Sequence, residues 1–477
     1  MLKNINLVNS LKSKRSSFTD PVHAHCLSKN PQRLLQRVSQ VFCSIALFSI
    51  PTLCAAQGSE LQEETSQAKF QSTYVWQKKP AFSAAYTGDN SLTPAREKRS
   101  YSLTTTAFLG TRIWPGSELY FNPEISLSQS LSDLHGLGGL SNGENQKGGG
   151  PNPKFYVGRL FVRHTWELGG DMETVESAPN QLAGQVRQQR WVLTAGKLSL
   201  TDVFDNNSFS HDPRTQFLNW AIMTHGAFDY AADQRGYSMG AALEYYHENW
   251  AFRFGRFEQP IESNGLPLDS RMMAHYGDQV EIERRHEIIG QPGKLRFLTF
   301  QNSARMGAFQ DAINFWNAHG RVGVPAVSDV RKDQYKFGFG INLEQNLTTD
   351  TGLFLRASRN DGNTETYAYT EIERSLSGGL LAKGNFWGQP NDSIGWAFAL
   401  NGLSSVHRDY LANGGLGAFI GDGHINYRPE KIMEGFYNVG VTKGIWLSFD
   451  YQHINNPAYN ADRGPARIIG TRVHIEY

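Results

Sequence analysis

Two sets of residues in this 477-residue chain are of types that sort small solutes. In the first, Glu118, Asn122 and Glu124 recur at even spacing in one segment, and Arg159 and Arg163 stand four apart in another. Arg190, Arg253 and Arg356 occupy equivalent polar positions elsewhere. Acidic and basic side chains facing each other across a water-filled lumen create a transverse field and fixed hydrogen-bonding groups, and a pore discriminates by both. Pairing of these charges between neighbouring strands, without selection, is the plainer account of any one of them.

The second set lies in segment 199–234. Phe217, Trp220, Phe228 and Tyr230 offer flat apolar faces, while Arg214, Asn219 and Asp229 offer polar ends. A sugar has apolar ring faces and hydroxyl edges, so this mixture suits one. Packing as a lid or against another subunit suits it as well. A connection of this length calls for a role. The role expected here is an inward fold that narrows a lumen and makes its selectivity filter.

No enzymatic motif accompanies these residues. There is no Gly-x-Ser-x-Gly elbow, no His-Glu-x-x-His pair and no full P-loop. Gly196-Lys197-Leu198-Ser199 only echoes the end of a P-loop. His286 would face away from Glu281 and Glu283 on a strand, and Asp202 and Asp205 lack the rest of a calcium loop. Catalysis, metal and cofactor are therefore not expected.

The elements that must position these groups are strands, because period two dominates the chain. Tyr335, Phe337, Phe339, Ile341 and Leu343 alternate with Lys336, Gly338, Gly340 and Asn342. Leu119, Phe121, Ile125 and Leu127 alternate with Glu118, Asn122, Glu124 and Ser126. Strands are expected near 70–86, 101–113, 118–128, 154–167, 187–198, 235–247, 249–257, 278–290, 293–303, 333–345, 349–359, 371–383, 393–403, 433–444, 445–454 and 466–477. That is sixteen, an even number, as single-chain bacterial barrels have. Short turns such as Trp114-Pro115-Gly116-Ser117 and Gln291-Pro292-Gly293 alternate with long loops at 129–153, 199–234, 258–277, 304–332 and 404–432. With both termini periplasmic, every such turn falls on the periplasmic side and every long loop outside. The expected fold is all-β: a single transmembrane antiparallel barrel of about 16 strands, wide enough for an aqueous channel. In the eighth strand, Arg284 and His286 sit on the nominally lipid-facing side.

Composition agrees. The 46 basic and 45 acidic residues give a formal charge of +1, which excludes nucleic acid as an expected partner. A mean hydropathy of -0.45 is too polar for a helical membrane protein but not for strands that meet lipid at every second residue. All three cysteines, Cys26, Cys43 and Cys54, fall in the first 54 residues. There, Arg33 and Arg37 precede an apolar run from Val41 to Ile50 and a small-residue stretch, Cys54-Ala55-Ala56. This reads as a secretory signal with an extended n-region over 1–56, cleaved after Ala56. A short periplasmic segment, 57–69, and the barrel, 70–477, then follow.

Several blocks are similar to carbohydrate-selective porins of the OprB type. They include Thr73-Tyr74-Val75-Trp76-Gln77-Lys78-Lys79-Pro80-Ala81-Phe82, Gly116-Ser117-Glu118-Leu119-Tyr120-Phe121-Asn122-Pro123-Glu124 and Asp212-Pro213-Arg214-Thr215-Gln216-Phe217-Leu218-Asn219-Trp220-Ala221. Gly226 to Tyr237 and Glu283-Arg284-Arg285-His286-Glu287 add to them. The resemblance implies a sixteen-stranded barrel in the Gram-negative outer membrane that passes glucose and other small sugars passively. The expected partners are outer-membrane lipid, small sugars and the barrel assembly machinery, with a homo-oligomer left open. The alternatives are a less selective pore for ions and small nutrients, a pore for organic anions, and an outer-membrane enzyme or adhesin on a barrel scaffold.

Overall fold

The computed structural model describes residues 63–477, so the signal expected over 1–56 lies outside the described residues. Sixteen strands pair antiparallel with their sequence neighbours, and β1 (Ser66–Lys79) closes the sheet on β16 (Ala466–Glu476). Tyr74 opposes Val473 across that seam. Closure leaves no row of unpaired backbone groups, which a sheet in hydrocarbon cannot afford.

Each strand shows why it forms. In β10 (Lys332–Asn346), Tyr335, Phe337, Phe339 and Ile341 point outward and are 46–58 % exposed, while Lys336, Gly338, Gly340 and Asn342 point inward and are buried. Apolar side chains out and small or polar ones in is the inverse of a soluble barrel. No helix among the described residues is long and apolar enough to cross a membrane, which says nothing against strands doing so.

All sixteen expected strands are present, with three informative shifts. β1 stops at Lys79 rather than continuing to residue 86, because Pro80 cannot donate to the ladder. β6 (Ser238–His247) begins three residues late, which lengthens the preceding loop. The third concerns β4 (Lys154–Val175) and β5 (Gly184–Leu198), which run on past the neighbouring strands as an extended hairpin. The connection at 168–186 is thus long and lies at the end of the barrel where all the short turns are.

The apolar core sits inside the upper half of the barrel, between infolded loops and the wall. It includes Phe204, Phe217, Ile222 and Phe228 of segment 199–237, packed on Phe300, Phe354 and Phe436 of the strands. Inner-face glycine makes room for the loop. A Cβ at Gly340 would stand 2.6 Å from His225 Nε2.

Candidate functional site

β3 (Ser117–Gln129) carries Glu118, Tyr120, Asn122 and Glu124 inward, with Ile125 outward and exposed. In β4 a bulge opposite Asn122 and Pro123 changes the phase of the strand. Tyr156 above it and Arg159, Phe161 and Arg163 below it therefore share the lumen side, while Phe155 and Leu160 are exposed on the outside. Phe161 thus belongs with the two arginines and stacks on Tyr120 at 5.0 Å.

The lumen holds two cavities at successive heights. The lower, about 1120 Å³, is lined by Glu118, Arg163, Arg190, Arg253 and Asp202 among others. The upper, about 140 Å³, is lined by Glu124, Glu144, Arg159, Arg214, Trp220, Tyr230, Tyr237 and Tyr369. Arg159 and Asp202 stand between them as a two-pronged ion pair, Nε–Oδ2 and Nη2–Oδ1 both 2.6 Å. Such fork-to-fork pairs are strong and geometrically specific.

The upper cavity is assembled from three loops and the wall. Arg214 reaches Glu144 of loop 130–153 at 3.1 Å and Glu124 of β3 at 3.8 Å. Glu124 also accepts from the Tyr237 hydroxyl at 3.3 Å and from Thr106 at 2.6 Å. Trp220 opens the short helix α1 (Trp220–Met223), which Asn219 caps by accepting from the Ala221 N–H. Its ring stacks on Tyr369 of loop 361–373, centroids 5.4 Å apart, and Tyr230 meets Tyr369 at 4.6 Å.

Segment 199–237 is clamped to the wall by charges. Arg356 of β11 (Thr351–Asn360) is 1 % exposed and donates to Asp205 Oδ1 at 2.9 Å and to the carbonyls of Ile222 and Ser210 at 3.1 and 2.7 Å. Burial opposes ionisation of Asp205, but the Arg356 guanidinium outweighs it and holds the carboxyl below its ordinary range. Asp229 pairs with Lys336 at 2.9 Å and accepts from the N–H groups of Tyr367, Ala368 and Tyr369.

These placements revise part of the expected site. Phe217 and Phe228 do not line the cavity; each is at most 1 % exposed, against Phe354 and Phe436 in one case and Phe300 in the other. Arg356 and Asp229 likewise hold the loop rather than face the lumen. Arg253 lines the lower cavity but is tied to Glu244, Glu281 and Glu283 at 2.9, 2.8 and 3.2 Å. Glu144, Lys147, Tyr156, Tyr237 and Tyr369 lie at or beside the upper cavity and were not singled out from sequence. Most of them sit in segments whose infolding only tertiary contacts determine. On the eighth strand, Arg284 does face outward, over the Trp250 ring at 4.6 Å, near the barrel rim where amphipathic groups are tolerated.

A closed sixteen-stranded barrel, apolar outside and polar within, narrowed by loops folded into its lumen, is an outer-membrane diffusion channel. Its sequence matches the family described as carbohydrate-selective porin, OprB family, over residues 100–477, and the chain belongs to that family. It is an outer-membrane porin, and family and fold both point to a channel. No curated protein sequence matches it. Among solved structures, it is similar to the high-pH form of Pseudomonas putida OprB, with a TM-score of 0.67 and 15 % identity, covering 87 % of this chain and 94 % of that one. Pseudomonas aeruginosa OccK8 (OprE) gives a TM-score of 0.41 at 9 % identity, covering 86 % and 98 %. At 15 % identity the likeness to Pseudomonas putida OprB shows the fold alone.

Proposed function

We propose that the upper cavity is the selectivity filter and that it favours neutral, monosaccharide-sized sugars moving passively toward the periplasm. The observation that carries this reading is the pairing of aromatic faces with two arginines already satisfied by carboxylates. Trp220, Tyr230 and Tyr237 offer ring surface, while Arg214 and Arg159 are neutralised by Glu144, Glu124 and Asp202. Such groups can exchange hydrogen bonds with hydroxyls, whereas a bare anion would have to compete with resident carboxylates. Contacts should remain weak, because a passive pore must release what it binds. The chain reaches the membrane through cleavage of segment 1–56 and insertion by the barrel assembly machinery.

Liposome swelling with a size series of neutral sugars, and with a uronic acid matched in size to a hexose, tests the reading. Hexoses should enter fastest, with disaccharides and the uronate slower. Equal rates for hexose and uronate would remove the charge argument, and faster uronate entry would make the protein an organic-anion pore.

A further inference from the structure

We propose that the β4–β5 hairpin forms a second narrowing of the pore, on the periplasmic side and in series with the loop constriction. The proposal rests on the porin reading. Beyond Glu167 the ladder is irregular at two places, between Glu167 and Gly169 and between Gly169 and Met172, and Gly170 adopts φ +79. Bulges bend strands, and a left-handed φ suits glycine. The extended hairpin therefore turns under the barrel instead of continuing straight into the periplasm.

Its tip enters the lumen. Asn122 Nδ2 donates to Asn180 Oδ1 at 2.9 Å, and Arg163 donates to the Asn180 carbonyl at 2.9 Å. The Leu182 N–H donates to the Tyr120 hydroxyl at 3.1 Å, and Leu182 itself is 2 % exposed. Asn122 stands five residues up β3 from its periplasmic start at Ser117, so the tip reaches about 16 Å along that strand. The hairpin also spans the mouth. Glu173 accepts from Arg190 at 3.2 Å and from Arg285 at 2.8 Å. Arg285 belongs to β8 (Tyr276–Ile288), four strands around the wall from β4, which at the usual strand spacing is about 19 Å of wall. Gln181, Leu182 and Val175 thereby line the lower cavity.

Glu173 and Arg285 are 31 % and 38 % exposed. Half-exposed pairs of this kind hold weakly, so the strap is seated by its tip and only lightly fastened across the mouth.

The test uses the full-length protein in planar bilayers. Residues 170–188 are replaced by Asn-Gly, which joins the paired residues Gly169 and Gln189 by a two-residue turn. Separately, Gln181→Cys is introduced into a chain whose native cysteines all precede residue 55. Shortening should raise single-channel conductance at least about 1.5-fold, and a bulky water-soluble thiol reagent added from the periplasmic side should lower the conductance of the cysteine variant at least about twofold. Glu173→Gln should add open-channel noise while leaving hexose selectivity intact. Wild-type conductance in both the shortened and the labelled channel would overturn the proposal. If the shortened protein fails to fold, judged by heat-modifiable migration, the labelling result alone decides. A wild-type protein that conducts nothing would instead count against the porin reading.

Discussion

The Arg356–Asp205 pair fixes the constriction loop to the wall, and Arg356→Met removes it while keeping apolar volume. Arg356 and Asp205 are 1 % and 0 % exposed. The guanidinium also satisfies the carbonyls of Ile222 and Ser210. The substitution thus leaves a buried carboxylate without its counter-charge, with only the Asn342 amide and the His225 N–H still donating to it, and breaking a buried pair from one side costs about 3–5 kcal/mol. If that cost fell wholly on loop docking, the undocked-to-docked ratio would rise roughly 10²-fold to several thousand-fold. Other anchors remain, chiefly Asp229 with Lys336 and Glu434 with the Leu218 and Asn219 N–H groups. The expected result is therefore local release around Asp205–Ser210, seen as higher mean conductance with frequent excursions to a larger open level. Asp205→Asn combined with Arg356→Met leaves no lone charge and should recover most of the wild-type behaviour. Thermal melts and single-channel records on the two singles and the double complete a double-mutant cycle. If Arg356→Met keeps wild-type noise and melting temperature, or if the double is as impaired as the two singles summed, the pair is not the anchor described.

The Asp202→Asn variant, which breaks the pair between the two cavities, should raise conductance and weaken discrimination between hexose and disaccharide in liposome swelling; unchanged size selectivity would move the constriction elsewhere. Trp220→Ala and Phe217→Ala should each cost about 3–5 kcal/mol of stability, since both rings are buried, but Trp220→Ala should also reduce hexose preference directly, whereas Phe217→Ala should alter selectivity only through loop loosening, as paired melts and flux assays would reveal. Burial pushes the His225 imidazole down to about 4, against the attraction of Asp205 and with Arg356 and Arg296 adding to the shift. A depressed histidine makes the undocked loop the better proton binder between about 6.5 and 4, so docking should weaken as pH falls through that window, and noise flat from pH 7 to 4 would contradict this. Cysteines at Glu118 and Arg163 should react with water-soluble thiol reagents and those at Leu119 and Ile125 should not; the reverse pattern would mean a register slipped by one residue.

The barrel was legible because lipid and water act on alternate residues of the same strand. That constraint is local and repeats along β10 from Tyr335 to Ile341, so a short window suffices to read it. It fails where local geometry changes phase, as at the bulge before Arg159, or where a loop takes over the inner face. The infolding of 199–234 could be suspected from its aromatic content, but not which ring faces which way. Phe217 and Phe228 have no polar atom and are buried against the wall, while Trp220 and Tyr230 border the cavity. The Trp220 Nε1–H finds the Asn142 carbonyl at 2.8 Å. Rings with a polar handle prefer a site with one apolar and one polar side, and that rule applied to the sequence would have separated the two pairs. Inner-face Gly340 was a second usable sign, since a missing side chain there admits His225. Tyr369 and Glu144 had no comparable signal, because their loops join the upper cavity only through contacts far apart in sequence.

The mode of anchoring follows from the lumen itself. A wall facing water must carry polar groups, so a loop folded against it cannot dock by apolar contact alone without stranding them. Here the wall's Arg356 and Lys336 meet loop carboxylates, and the wall's Glu434 accepts from loop N–H groups. A buried pair gains little net energy over an apolar contact of the same size, but a mismatched one is costly. Displacement of the loop by one residue would part Asp205 from Arg356, Asp229 from Lys336 and Glu434 from the Leu218 and Asn219 N–H groups together. Charge pairing thus specifies one position for the loop more sharply than it strengthens the attachment, and a cavity of about 140 Å³ keeps its shape only with that positional definition.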